Sequence, residues 1–188
     1  GVNRLDPESG NFYNSMLLVD SNFEIIQSYN KRKLVPFGEF LPFENLLKKF
    51  GIKKITEGYG SFLKGGDNNN LLLNNLRILP LICYEVIFTH LIQKSNIDTN
   101  LVVNISEDGW FGKTIGPDQH FSKSIFRAIE NGTFFIRSAN KGVSAIIDNK
   151  GNIIKQLNRN EAGNLEFEVP LIKSNKIKND LIFFVLLI

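Results

Sequence analysis

The chain holds one cysteine, one methionine, one tryptophan and two histidines among 188 residues. A single cysteine, Cys83, excludes an internal disulfide framework and leaves the redox compartment unread. His90 and His120 have no Cys or His cluster beside them, so a tetrahedral zinc site lacks ligands and no metal is expected. Excess charge is scarce too. A net charge of +3, with no long lysine or arginine run, leaves no electrostatic footprint for nucleic acid. No apolar run reaches the roughly 20 residues of a membrane-spanning helix. The chain does close in "LIFFVLLI" (181–188), which reads either as a core strand or as the first turns of such a helix. It opens at Gly1 without a methionine or signal peptide, and both ends read as cut.

What is present is ordinary for one globular domain: 43% hydrophobic and 22% charged residues, enough for a sizeable core. "NFYNSMLLVD" and "FEIIQSYN" read as strands joined by an Asp20-Ser21-Asn22 turn. "KRKLVPFGEFLPF" is loop, "FENLLKKF" a short helix, and 51–70 an exposed glycine-rich loop. "LLLNNLRILPLIC" is a second hairpin turning at Asn74-Asn75 and ending at Cys83. "YEVIFTHLIQKS" has the spacing of an amphipathic helix, and "LVVNIS" that of a short strand. The loop "EDGWFGKTIGP" follows, then "PDQHFSKSIFRAIENGTFFIRSA" as the longest helix, with Pro117 in its first turn and Gly132 weakening its back half. "GVSAIID", "GNIIKQL" and "GNLEFEV" are strands. The order predicts a layered α/β domain with mixed sheets.

Cys83 has two readings. A free cysteine often packs as a small hydrophobe. At a strand–helix junction, however, its thiolate would meet unpaired N–H groups, and the Tyr84 N–H would face an oxyanion formed there. Glu85 stands close enough for proton traffic or for holding a cation. Neither histidine suits a Cys–His pair: His90 points along the helix, and His120 reads as a partly buried helix-face residue. Lys31, Lys33 and Glu39 share a proline-stiffened loop that could equally be solvated decoration.

Read together, "YNKRKLVPFGEFLP", "ICYE", "NISEDGWFGKTIGPDQH" and "RAIENGTFFIRSANKG" resemble the nitrilase superfamily in order and spacing. More narrowly, they look like the carbon–nitrogen-hydrolase-type domain of bacterial apolipoprotein N-acyltransferases, over nearly the whole chain. The resemblance implies a nitrilase-like α-β-β-α sandwich, N-terminally truncated. Catalytic-domain sequence would occupy 1–170, a linker 171–180, and the start of a truncated transmembrane helix 181–188.

It also implies site roles. Cys83 matches the nucleophile that forms a thioester, Lys31 the lysine that stabilises the oxyanion, and Glu39 a glutamate supporting that lysine. Tyr84 and Glu85 match supporting residues beside the nucleophile, and Trp110 and Phe111 the aromatic loop at the substrate entrance. Glu107 stands where asparagine is usual. The family's general-base glutamate would lie upstream of Gly1, and Glu8 has the wrong context to replace it, so the chain alone is expected to be inactive. The implied partners are a phospholipid acyl donor, a diacylglyceryl-prolipoprotein acceptor and a membrane, with no nucleic acid and no cofactor. The implied location is the bacterial inner membrane, with the catalytic domain on the periplasmic side. A soluble amidase or carbamoylase, or a non-catalytic remnant with an inert Cys83, are the rival readings.

Overall fold

The computed structural model describes residues 1–43, 49, 51, 61–66, 70–93 and 99–172. Most of the expected helix "FENLLKKF" and most of the 51–70 loop lie outside the described residues. So does the expected linker and apolar tail beyond Ile172.

Two sheets form. Strands β1 (Val2–Leu5), β2 (Phe12–Val19) and β3 (Ile25–Asn30) make an antiparallel three-stranded sheet. Strands β4 (Leu71–Leu73), β5 (Leu76–Ile82), β6 (Leu101–Glu107), β7 (Phe134–Asn140), β8 (Ser144–Ile147) and β9 (Ile153–Leu157) lie side by side in chain order in a six-stranded sheet. Its centre, β5–β6–β7, is parallel and its flanks are antiparallel hairpins. Parallel neighbours need crossovers. Helix α1 (Thr89–Gln93) lies on the first and helix α2 (Gly116–Asn131) on the second.

Central parallel strands are buried on both faces, and side chains alternate between them. Leu79, Leu81, Val102, Phe135, Ala145 and Ile147 face the helices and pack on Val86, Leu91, Ile92 and Ala128. Ile78, Ile82, Val103 and Ile105 face the other sheet, where Met16 and Tyr29 meet them. Full burial of a side chain such as Phe135 or Ile147 stabilises by roughly 1.5–3 kcal/mol. The resulting order of helix, sheet and sheet is that of the expected α/β sandwich.

Both expected hairpins form. The Asp20 carboxylate accepts the Asn22 and Glu24 N–H groups, each at 2.9 Å, and closes the β2–β3 turn. Asn74 takes the left-handed conformation (φ 52°) in the β4–β5 turn. Three expectations are corrected. No α-helix starts at Tyr84: a 3-10 turn, Cys83–Ile87, comes first, and α1 follows for five residues. The long helix stops at Asn131, because Gly132 adopts φ 65° and its N–H caps the Ala128 and Ile129 carbonyls. Phe134–Asn140, rich in β-formers, then enters the sheet as β7. "GNLEFEV" is no strand. Leu165, Val169 and Ile172 instead lie over Leu101, Phe134 and Ile146 on the sheet face beside β1–β3. No helix among the described residues is long and apolar enough to cross a membrane.

Candidate active site

β5 delivers Cys83 to the end of the sheet with an unusual backbone. Its φ is 50°, the left-handed region that non-glycine residues rarely adopt. Such a conformation costs of order 1–3 kcal/mol and persists only where the surroundings hold it. The half-buried thiol faces the Glu107 carbonyl at 4.0 Å, where the parallel neighbour β6 ends.

Glu85 ties this elbow to the loop that carries Lys31. The carboxylate is fully buried. It accepts the Ile82 N–H at 2.8 Å from the elbow, and the Arg32 and Lys33 N–H groups at 2.7 and 3.0 Å from the loop. The Tyr29 hydroxyl donates to both carboxylate oxygens at 2.9 Å. Burial pushes the Glu85 carboxyl above its ordinary range, while the three N–H groups and the hydroxyl pull against that shift. Reaching back to Ile82 also satisfies the N–H that precedes the 3-10 turn, as a capping glutamate does.

Lys31 follows β3 and is 1% exposed. Its ammonium donates to Glu39 Oε1 at 2.8 Å. Glu39 is itself fixed by Asn14 Nδ2 and the Val35 N–H, each at 2.8 Å. The Lys31 backbone bonds Asn14 on β2 and the Gly65 N–H, both at 2.8 Å. A Cβ on Gly65 would fall 2.1 Å from the Asn30 carbonyl oxygen, so only glycine lets the chain pass there.

A third cluster lies behind the elbow. Asp108, His120, Arg137 and Asn104 are each at most 3% exposed. Arg137 Nη2 donates to Asp108 Oδ2 at 2.7 Å, and His120 Nδ1 lies 2.9 Å from Asp108 Oδ1. Burial would push the Asp108 carboxyl up, but His120, Arg137 and the Ser106 hydroxyl outweigh it and hold it at about 2. A depressed carboxyl contributes stability above its unfolded value of 3.8 and loses it as pH falls through 2. The difference is worth about 2 kcal/mol. We expect Asp108→Asn to flatten the acid limb of a denaturant-unfolding pH profile between those values. An unchanged acid limb would contradict the assigned network.

The aromatic residues divide. Trp110 is 66% exposed in the 3-10 turn Asp108–Phe111, whereas the Phe111 ring stands 5.3 Å from His120. Tyr84 is 36% exposed and meets Phe88 edge-on at 5.8 Å. The Glu107 side chain caps its own turn through the Gly109 N–H at 2.8 Å and accepts Asn140 Nδ2 at 2.5 Å. Glu8 stays in an exposed turn after β1, bonded through its N–H to Asp6.

The structure thus brings Cys83, Tyr84 and Glu85 into one turn, with Glu85 fastening the Lys31 loop to it. The Glu107 carbonyl and the Trp110 turn follow the strand beside the thiol. Sequence reasoning did not find Asn14, Tyr29, Asn104, Asp108 or Arg137. The available signal for Arg137 was a lone charge inside the otherwise apolar "TFFIRSA". Among the described residues no cluster of His, Cys, Asp and Glu could hold a metal ion.

The sequence profile described as carbon-nitrogen hydrolase matches residues 1–178. The chain is 44% identical over 159 residues to a Rhodopseudomonas palustris protein named apolipoprotein N-acyltransferase, covering 84% of this chain and 30% of that one. A Rickettsia prowazekii protein of the same name is 42% identical over 160 residues, covering 84% and 32%. The chain therefore spans about a third of the length of these curated relatives. Among solved structures it resembles Saccharomyces cerevisiae Nit3, a nitrilase-superfamily member (TM-score 0.62, 16% identity, 86% of this chain and 55% of that one). It also resembles a carbon-nitrogen hydrolase from Helicobacter pylori (TM-score 0.60, 13% identity, 84% and 57%). Profile and fold agree: the chain belongs to the carbon-nitrogen hydrolase family.

Proposed function

We propose that this chain carries the nucleophile part of an N-acyltransferase site. The enzyme moves a fatty acyl chain from a phospholipid to the N-terminal amine of diacylglyceryl-cysteine on apolipoproteins. One observation carries the reading: the left-handed Cys83 elbow is tied through Glu85 to the loop holding the buried Lys31–Glu39 pair. The relatives' shared name supports the substrates.

In the first half-reaction the Cys83 thiolate attacks the ester carbonyl. The Lys31 ammonium and the Tyr84 N–H stabilise the tetrahedral oxyanion, and Glu39 holds Lys31 in place. The ester C–O bond then breaks. Lysophospholipid leaves with the proton first taken from the thiol, and a Cys83 thioester remains. In the second half the amine attacks the thioester, an amide forms, and the thiolate regains a proton from the attacking nitrogen. A general-base glutamate, which the family's order sets ahead of the Lys31 stretch, relays these protons. Trp110 and Tyr84 offer exposed aromatic surface to an acyl chain. Lipid substrates suit a domain lying against a membrane, and the family resemblance supports the periplasmic face of the bacterial inner membrane.

The test is to incubate the full-length protein with phospholipid bearing a labelled acyl chain, quench in acid, and map the label. We expect it on the Cys83 peptide, hydroxylamine-labile and passed on to a diacylglyceryl-cysteine peptide, with both products lost in Cys83→Ala. Label released only as free fatty acid would point to hydrolysis in place of transfer. No label at Cys83 would sink the reading.

A further inference from the structure

The strained backbone of Cys83 has a dedicated support that the acyl-transfer steps do not use. Its carbonyl oxygen accepts His120 Nε2 at 3.3 Å, and since a carbonyl only accepts, Nε2 is the donor. Asn104 Nδ2 donates to the Leu81 carbonyl at 3.0 Å and lies 3.5 Å from that of Cys83. Both clamps are locked from behind. Arg137 donates to Asn104 Oδ1, to Asp108 Oδ2 at 2.7 Å and to the Val143 carbonyl at 3.2 Å. Asp108 Oδ1 and Arg137 Nη2 flank His120 Nδ1 at 2.9 and 3.1 Å, and Asp108 accepts Ser106 Oγ at 2.7 Å. Burying such groups is costly, and apolar side chains would fill the same space more cheaply. The set converges on the carbonyls flanking one left-handed residue, the only cysteine in the chain.

We infer that His120 and Asn104, braced by Arg137 and Asp108, are positioning residues that clamp the Cys83 elbow in its left-handed conformation and so aim Sγ at the acyl carbonyl. This inference rests on the acyltransferase reading only for its substrate. Misplacing a nucleophile by about 1 Å can cost of order 100-fold in rate. A packing role alone predicts no such loss.

The experiment compares His120→Asn with His120→Gln in the full-length protein. Asparagine keeps an amide near Asp108 but cannot reach the Cys83 carbonyl; glutamine places its amide N–H where Nε2 stood. Single-turnover thioester formation on Cys83 should slow by about tenfold to 100-fold in His120→Asn. The half-saturating phospholipid concentration should change by less than about twofold, and glutamine should restore most of the rate. Alkylation of the Cys83 peptide by iodoacetamide, which needs no acyl substrate, should follow the same order. Parent-like acylation by His120→Asn, or equal loss in both variants, overturns the clamp. Should His120→Asn fail to fold, His120→Gln decides alone: a rate near the parent's supports the clamp and a loss beyond about tenfold refutes it. If the parent protein forms no thioester, the acyltransferase reading fails and the alkylation order still decides the inference.

Discussion

Replacing Glu85 with glutamine should lower Cys83 acylation by about 100-fold or more while leaving most of the sheet intact. Every group around this carboxylate is a donor: the N–H groups of Ile82, Arg32 and Lys33, and the Tyr29 hydroxyl. An amide there must turn its own N–H₂ toward at least one of them, losing a bond and creating a buried donor–donor conflict. Bonds to a charged acceptor are worth about 1.5–3 kcal/mol each. Two such losses reach the 100-fold range if they fall on site geometry. The bonds span the two segments that must meet and reach Tyr29 and Ile82 of the inter-sheet core, so the damage should concentrate there and spare the helix-side core around Leu79, Val102 and Phe135. The check is acylation rate beside thermal melting for Glu85→Gln and Glu85→Asp. Aspartate keeps the charge but is one methylene short, so it cannot serve Ile82 and the Lys31 loop together. A Glu85→Gln variant within about threefold of the parent's rate would show that the carboxylate does not join the two segments.

Lys31→Met is expected to be the more damaging change for chemistry and the milder one for shape. Methionine keeps the unbranched stem and much of the volume, and it deletes only the charge. Removing the donor to an oxyanion costs about 10²–10³ in rate. The variant also leaves Glu39 without its cation, and breaking one side of a buried pair destabilises by up to about 3–5 kcal/mol. Glu39 is 14% exposed and keeps Asn14 and the Val35 N–H, so the lower end applies. The double variant Lys31→Met with Glu39→Gln separates the two effects. Melting temperature should recover and acylation should not. If acylation recovers with stability, Lys31 holds the loop and takes no part at the oxyanion.

The sequence by itself determined what depends on neighbours along the chain. The β2–β3 hairpin, the Asn74-Asn75 turn, the apolar strand β6 and the placing of Cys83 at the end of β5 were all legible. Period-two burial and the Asp20 turn operate over a few residues, so no distant partner is needed to read them. The motif order also pointed to the superfamily, and from that resemblance Lys31 and Glu39 are proposed as companions for Cys83.

Tertiary structure decided the rest. The segment after Cys83 carries a helical apolar pattern, yet Cys83 is left-handed, Glu85 is bonded to a loop more than fifty residues upstream, and the first turn is 3-10. "GNLEFEV" alternates like a strand, but its apolar side chains cover an open sheet face and pairing is not where it gains burial. Asn104, Asp108, His120 and Arg137 meet only because two parallel crossovers set β5, β6 and β7 side by side and α2 across them. Buried polar groups are satisfied by whatever the fold brings within 3 Å or so of them. Spacing along the chain carries no record of that partner, which is why Cys83 could be singled out in the sequence and the buried groups around it could not.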